Sequence, residues 1–63
     1  MYDDYEKIKQ AFENKKGVKI KNELDINGNP ILKIEFENKK LIFYFDVDEY
    51  EDKAYFSYLV VLD

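Results

Sequence analysis

The sequence predicts an α+β fold in which one N-terminal amphipathic helix packs on a four-stranded antiparallel sheet. Three observations predict it. Apolar residues recur at helical spacing near the N-terminus, the apolar period changes to two from Val18 onward, and turn residues separate the alternating runs. The chain has 63 residues, which suffices for one domain with a small core. We therefore expect a single α-β-β-β-β domain over residues 1–63.

The predicted helix covers residues 3–16. Asp3 can cap the first free backbone N–H groups, and Glu6 stands three positions later, as in a capping box. Gly17 supplies the left-handed conformation that ends many helices. The apolar residues of the inward face are Tyr5, Ile8, Ala11 and Phe12.

The four strands are predicted at residues 18–26, 31–37, 41–47 and 54–62. Loop lengths follow because residues paired across antiparallel strands must share a face. The loops that meet this condition are 27–29, 38–39 and 48–53, with Leu24 opposite Leu32, Phe36 opposite Leu41, and Phe45 opposite Phe56. The helix should then lie over the face of Leu32, Phe36, Phe43, Phe45 and Phe56. In the alternative topology, strand four pairs in the middle of the sheet beside strand one.

Composition excludes several functions. The chain has no His, Cys or Thr and a single Ser, so the usual nucleophile–base pairs and disulfides are excluded. No apolar run approaches the roughly 20 residues of a membrane span, and the N-terminus is too acidic for a signal peptide. We expect a cytoplasmic binding protein that is not an enzyme, needs no cofactor or metal, and does not enter a membrane.

The outer face of strands three and four is unusually apolar in the predicted register. Apolar patches of this kind mark contact surfaces, and an edge strand without charges invites pairing with another chain. This face is the candidate dimer or partner surface, and a homodimer is expected. Its predicted residues are Ile42, Tyr44, Tyr55, Leu59 and Val61.

Acidic residues concentrate near the third turn. Residues 46–63 carry a net charge of -5, whereas residues 7–21 carry +5. An acidic end can imitate a phosphate backbone and occupy a basic groove on a nucleic-acid enzyme, so a nuclease or a related enzyme is the expected protein partner. The candidate partner-binding residues are Asp46, Asp48, Glu49, Glu51 and Asp52, to which Asp3, Asp4 and Asp63 could add.

Two other functions stay open at this point. A nucleic-acid-binding module could use the lysines of the helix and first strand, although the chain has no Arg for bidentate phosphate contacts. These lysines are Lys7, Lys9, Lys15, Lys16, Lys19 and Lys21. A Mg²⁺-dependent nuclease could use Asp46 with Glu51 and Lys53. Direct nucleic-acid binding and nuclease activity rank behind protein binding.

The composition carries one further hint. Lys, Asn, Ile, Tyr and Phe have AT-rich codons, and this bias suits a low-GC bacterium or its phage. In size and character the chain is similar to the inhibitors that mobile elements deploy against nucleases, anti-CRISPR and anti-restriction proteins among them. No motif carries this likeness, so it implies a type of function and no particular residues.

Overall fold

A computed structural model describes residues 3–63 of the chain. The helix α1 is followed by four strands that form one antiparallel sheet in the order β1-β2-β3-β4. The predicted fold class is therefore confirmed, and the alternative that placed the last strand beside the first is wrong. The elements are α1 (Asp4–Glu13), β1 (Lys19–Leu24), β2 (Pro30–Phe36), β3 (Lys39–Asp48) and β4 (Lys53–Leu62).

Helix α1 begins as the sequence predicts, because the Asp3 carboxylate accepts a hydrogen bond from the Glu6 N–H at 3.0 Å. It ends at Glu13, three residues before residue 16, and the chain turns through Asn14 to Gly17. Gly17 has φ +76°, a conformation in which any other residue would be strained.

The β1–β2 hairpin has a longer loop than predicted. The Asp25 carboxylate accepts hydrogen bonds from the Asn27 and Asn29 N–H groups, both at 2.8 Å, and this Asx turn sets the loop. Leu24 therefore lies opposite Pro30, and the predicted pairing of Leu24 with Leu32 is wrong by two residues. A shift of two keeps every side chain on its predicted face.

The β2–β3 turn lies one residue earlier than predicted. Glu37 and Asn38 both have positive φ, 51° and 65°, as a type I′ hairpin turn requires. Phe36 pairs with Lys39 in consequence, so the predicted pairing of Phe36 with Leu41 is wrong, again by two positions. The faces are again preserved.

The β3–β4 pairing is confirmed only for its first half. Phe45 lies opposite Phe56 as predicted, but Tyr44 lies opposite Tyr58, which leaves Ser57 as the extra residue of a β-bulge. The bulge moves every later residue of β4 to the opposite face from the one predicted. Strict alternation in the sequence contains no signal for such an insertion.

The core lies between α1 and the inner face of the sheet. Tyr5 packs edge-on against Phe45 with ring centroids 5.1 Å apart, and Phe12 packs against Phe43 at 6.1 Å. The Tyr5 hydroxyl donates a hydrogen bond to the Asn22 side chain, which explains the polar residue on the apolar side of β1. The buried core residues are Leu32, Ile34, Phe43, Phe45 and Ala54.

Candidate protein-binding surfaces

The acidic end of the molecule is built on the β3–β4 hairpin. The Asp48 carboxylate accepts hydrogen bonds from the N–H groups of Tyr50 at 2.9 Å and Glu51 at 3.3 Å. The Asp52 N–H donates to the Asp48 carbonyl at 2.8 Å, and Asp52 adopts φ +54°. These bonds restrict the backbone of residues 48–52, which lowers the entropic cost of ordering the loop on binding.

The five predicted acidic residues differ in what they do. Asp48 is half-buried and holds the loop, and the Glu51 carboxylate accepts a hydrogen bond from the Tyr55 hydroxyl. Asp46, Glu49 and Asp52 are exposed. Within residues 3–63, each of the four ion pairs lies away from the β3–β4 loop, on α1, on β1, between β1 and β2, or between β2 and the far end of β3. The charge of the hairpin end is therefore left for solvent or a partner.

Tyr50 was not among the predicted site residues. It lies in the loop between Glu49 and Glu51 in the sequence, and its side chain is wholly exposed. Tyrosine at a protruding tip is a frequent anchor of protein interfaces, because its ring supplies large contact area at small entropic cost. Its place in the middle of the acidic run was the available signal.

The first turn of α1 adds carboxylates to the same end. Asp3 accepts a hydrogen bond from the Ala54 N–H, and Asp4 accepts one from the Phe56 N–H, both at 2.9 Å. The Ala54 bond, followed by the Glu6 bond, holds the pKa of Asp3 below its ordinary value. Asp63, in contrast, follows the far end of β4 and does not join the acidic end.

The predicted apolar face is divided by the Ser57 bulge. Ile42, Tyr44 and Tyr55 lie on the outer face, where the Tyr44 ring stacks on Tyr58 with centroids 4.5 Å apart. Leu59 and Val61 instead lie opposite Phe43 and Leu41, on the inner face. The prediction that all five share the outer face is wrong for these two, because the bulge reverses the alternation.

The lysines do not form one surface. Ile20 packs into the core, so its neighbours Lys19 and Lys21 lie on the outer face, opposite the side that α1 covers. The predicted combination of helix and first-strand lysines is therefore separated by the sheet. On the outer face a groove of about 510 Å³ is lined by Lys19, Lys21, Lys33, Lys40, Ile42 and Leu62, among others.

That groove is partly neutralised by its own carboxylates. Lys33 pairs with Glu23 at 2.7 Å, and Lys40 pairs with Glu35 at 3.8 Å. Phosphate binding there would have to displace or tolerate these carboxylates, which weakens the case for a nucleic-acid surface. Among residues 3–63 the carboxylates of the hairpin end form no ion pair, although Lys53 lies opposite Asp48 in the ladder and offsets part of their charge.

The nuclease alternative gains no support from the geometry. Asp46 is paired with Tyr55 in the ladder, while Glu51 lies in the loop and is bonded to the Tyr55 hydroxyl. Within the part of the chain that the structure describes, no three acidic side chains are grouped to hold a metal ion.

Among the described residues no helix has the length and apolarity that crossing a membrane requires.

Comparison of the chain with protein-family models, with curated proteins and with solved structures gives no match. The function must therefore be argued from the surfaces themselves.

Proposed function

We propose that this protein is a binding module that docks its acidic end in a basic groove of a nucleic-acid-processing enzyme and thereby inhibits it. One observation carries the proposal. The β3–β4 hairpin presents a wholly exposed Tyr50 in an acidic loop whose carboxylates form no ion pair within residues 3–63, and Asp48 bonds to the backbone of that loop. A charged loop that is hydrogen-bonded internally and carries an exposed aromatic side chain combines fast electrostatic steering with an anchor.

The charge distribution supports the same function. The carboxylates of Asp3 and Asp4 lie beside the start of β4, next to the hairpin, while residues 7–21 carry the positive charge. A basic groove that normally accepts nucleic acid would attract the acidic end. The size and the bias toward amino acids with AT-rich codons agree with an inhibitor from a mobile element, and such an inhibitor acts in the cytoplasm, where its target works.

The test is inhibition of a panel of purified nucleases and DNA-binding enzymes. We expect inhibition of at least one enzyme, relieved by excess double-stranded DNA, with an association rate that falls as salt rises. The informative variant combines Asp46→Lys, Glu49→Lys and Asp52→Lys, because these three side chains are exposed while Asp48 and Glu51 stay in place to hold the loop. It should weaken inhibition at least tenfold.

A matched control carries Glu13→Lys, Glu35→Lys and Glu37→Lys, which change the net charge equally but lie away from the hairpin. If this control loses inhibition as completely as the hairpin variant, net charge alone governs binding and the proposed surface is wrong. A Tyr50→Ala variant tests the anchor separately and should speed dissociation more than it slows association. Retention of the unmodified chain on a DNA column would instead favour the lysine groove.

A further inference from the structure

The edge of β4 differs between its two halves. In the first half, the N–H groups of Ala54 and Phe56 point away from β3 and donate to the carboxylates of Asp3 and Asp4. This edge is therefore already occupied by the start of α1. Covering an edge with side-chain acceptors prevents another strand from pairing with it.

In the second half, the edge-facing backbone groups belong to Leu59 and Val61. Alternate residues of an antiparallel strand bond to alternate neighbours, and Leu59 lies opposite Phe43, two positions along β3 from the partner of Phe56. The β2–β3 turn leads to the same assignment. It closes on the hydrogen-bonded pair of Phe36 and Lys39, so the odd-numbered residues of β3 bond to β2 and the even-numbered ones bond to β4. Leu59 lies opposite the odd-numbered Phe43, so its backbone groups face the open edge.

The side chains of residues 58–62 are uncharged, and all except the half-buried Val60 are exposed. The exposed fractions are 54% for Tyr58, 41% for Leu59, 52% for Val61 and 46% for Leu62. The other edge of the sheet, strand β1, carries Lys and Glu side chains that discourage pairing. Residues 58–62 are thus an apolar strand edge with neither a cover nor a charge in the part of the chain that the structure describes.

We infer that residues 58–62 of β4 pair antiparallel with the same residues of a second copy, forming a symmetric dimer with one continuous eight-stranded sheet. The two-fold axis passes between the two Val60 residues. Leu59 then lies opposite Val61 of the second copy and exchanges two backbone hydrogen bonds with it, while Tyr58 lies opposite Leu62 of the second copy.

A second copy of the chain fits this strand edge because the edge is complementary to itself. In this register each residue from 58 to 62 meets an uncharged residue, and the bonding groups of Leu59 and Val61 satisfy each other. A shift of the axis to Val61 would place the Asp63 carboxylate beside Leu59, and a shift to Leu59 would bring the bulge residue Ser57 into the pairing. The pairing ends where the covered half begins, so α1 does not obstruct it.

A single-cysteine experiment tests the register, since the chain has no other cysteine. Val60→Cys places two thiols across a non-hydrogen-bonded pair, where Cα atoms lie about 4.5 Å apart, within disulfide range. Under mild oxidation we expect most of this variant to form a covalent dimer. Leu62→Cys alone should form little, because its two copies are offset by four residues, about 13 Å along the strands.

Mixing Tyr58→Cys with Leu62→Cys chains should restore crosslinking, because these positions face each other across the axis. If Val60→Cys crosslinks no faster than Leu62→Cys, the inferred register is wrong. Crosslinking that is fastest for the Leu59→Cys or the Val61→Cys variant would likewise overturn it in favour of a shifted axis.

The association itself is measured by light scattering on the unmodified chain. The contact is one short strand pair, smaller than a standard interface, so we expect a dimer that dissociates in the micromolar range. Leu59→Lys should be monomeric at every concentration, whereas Leu24→Lys, at an exposed position of β1, should still dimerise. A monomer at millimolar concentration, or open-ended growth beyond the dimer, would overturn the inference. This surface is separate from the acidic end, so either proposal can fail alone.

Discussion

The two halves of β4 differ in their register with β3 and in whether their outer edge is covered. The first half pairs as the sequence predicts, contributes the buried Ala54, and has its edge covered by Asp3 and Asp4. The second half follows the Ser57 bulge, presents exposed apolar side chains and has an uncovered edge. One inserted residue thus separates a structural half from a half suited to binding, as bulges near functional edges often do.

The largest expected effect comes from the core beside the first half. Phe45 is nearly fully buried, opposite Phe56 and in contact with Tyr5, so Phe45→Ala should lower the free energy of unfolding by about 3–5 kcal/mol. Tyr44→Ala removes the outer-face stack on Tyr58, worth about 0.5–1.5 kcal/mol beyond area burial, together with the contacts of a half-buried ring, and should cost less than Phe45→Ala. Urea melts of both variants provide the measurement. A larger loss for Tyr44→Ala would mean that the two faces are assigned the wrong way round.

Much of this arrangement follows from the sequence, and the exceptions have physical causes. The capping signature of Asp3 and the alternation of apolar residues predict the helix, the strands and the inner face of Phe43 and Phe45. The predicted registers of the β1–β2 and β2–β3 hairpins differ from the structure by two residues. The Asp25 Asx turn sets the first loop, and the positive-φ pair Glu37 and Asn38 sets the second, so local turn chemistry decides the register.

The candidate surfaces were only partly predictable. The run of acidic residues predicts the acidic end. The sequence does not show which of these residues bonds to the loop backbone, as Asp48 does, and which stays exposed, as Glu49 does, because this depends on the folded hairpin. The role of Asp4 at the β4 edge joins positions 52 residues apart and has no local signature. The bulge at Ser57 likewise depends on how both strands fit the core.

A smaller effect is expected from the carboxylates that cover the first half. Asp3 caps α1 and accepts the Ala54 N–H, so Asp3→Ala should cost about 0.5–2 kcal/mol. Asp4→Ala uncovers the Phe56 N–H and removes a first-turn charge but no cap, so it should cost less. Thermal melts at neutral pH measure both. Equal losses would mean that the helix cap contributes nothing beyond the edge contact.

The Asp3 contribution should also depend on pH. The pKa of Asp3 is lowered in the folded chain, so its stabilisation is present above the ordinary value of 3.8 and is lost as the pH falls through the lowered value. The difference in melting temperature between the unmodified chain and Asp3→Asn should therefore shrink below pH 3.8. A difference that stays constant down to about pH 2 would exclude the carboxylate charge as its source.

Deleting Ser57 should change stability by no more than about 1 kcal/mol. Without it, Phe56 still lies opposite Phe45 and Tyr58 opposite Tyr44, with no extra residue between the two pairs. Deleting Ile42 from β3 is the control, because β3 pairs on both sides and has no bulge to absorb the shift. Circular dichroism and urea melts should show a folded Ser57 deletion and an unfolded Ile42 deletion. Unfolding of both would mean that the bulge itself is required by the core.

The smallest effect concerns the bond that joins the hairpin loop to the first half of β4. The Glu51 carboxylate that accepts the Tyr55 hydroxyl hydrogen bond raises the pKa of that phenol to about 12. Because this pKa lies above the ordinary value of 10.0, the associated stabilisation is complete below pH 10 and is lost as the pH rises toward 12. Absorbance titration of the folded chain should show two late-ionising tyrosines, because burial also raises the pKa of Tyr5 above its ordinary value. Tyr55→Phe should remove one of the two late components, and Glu51→Gln should move that same component back toward pH 10, while the Tyr5 component stays in both variants. If Tyr55→Phe leaves the number of late-ionising groups unchanged, the component belongs to another tyrosine and the loop is not bonded to the strand.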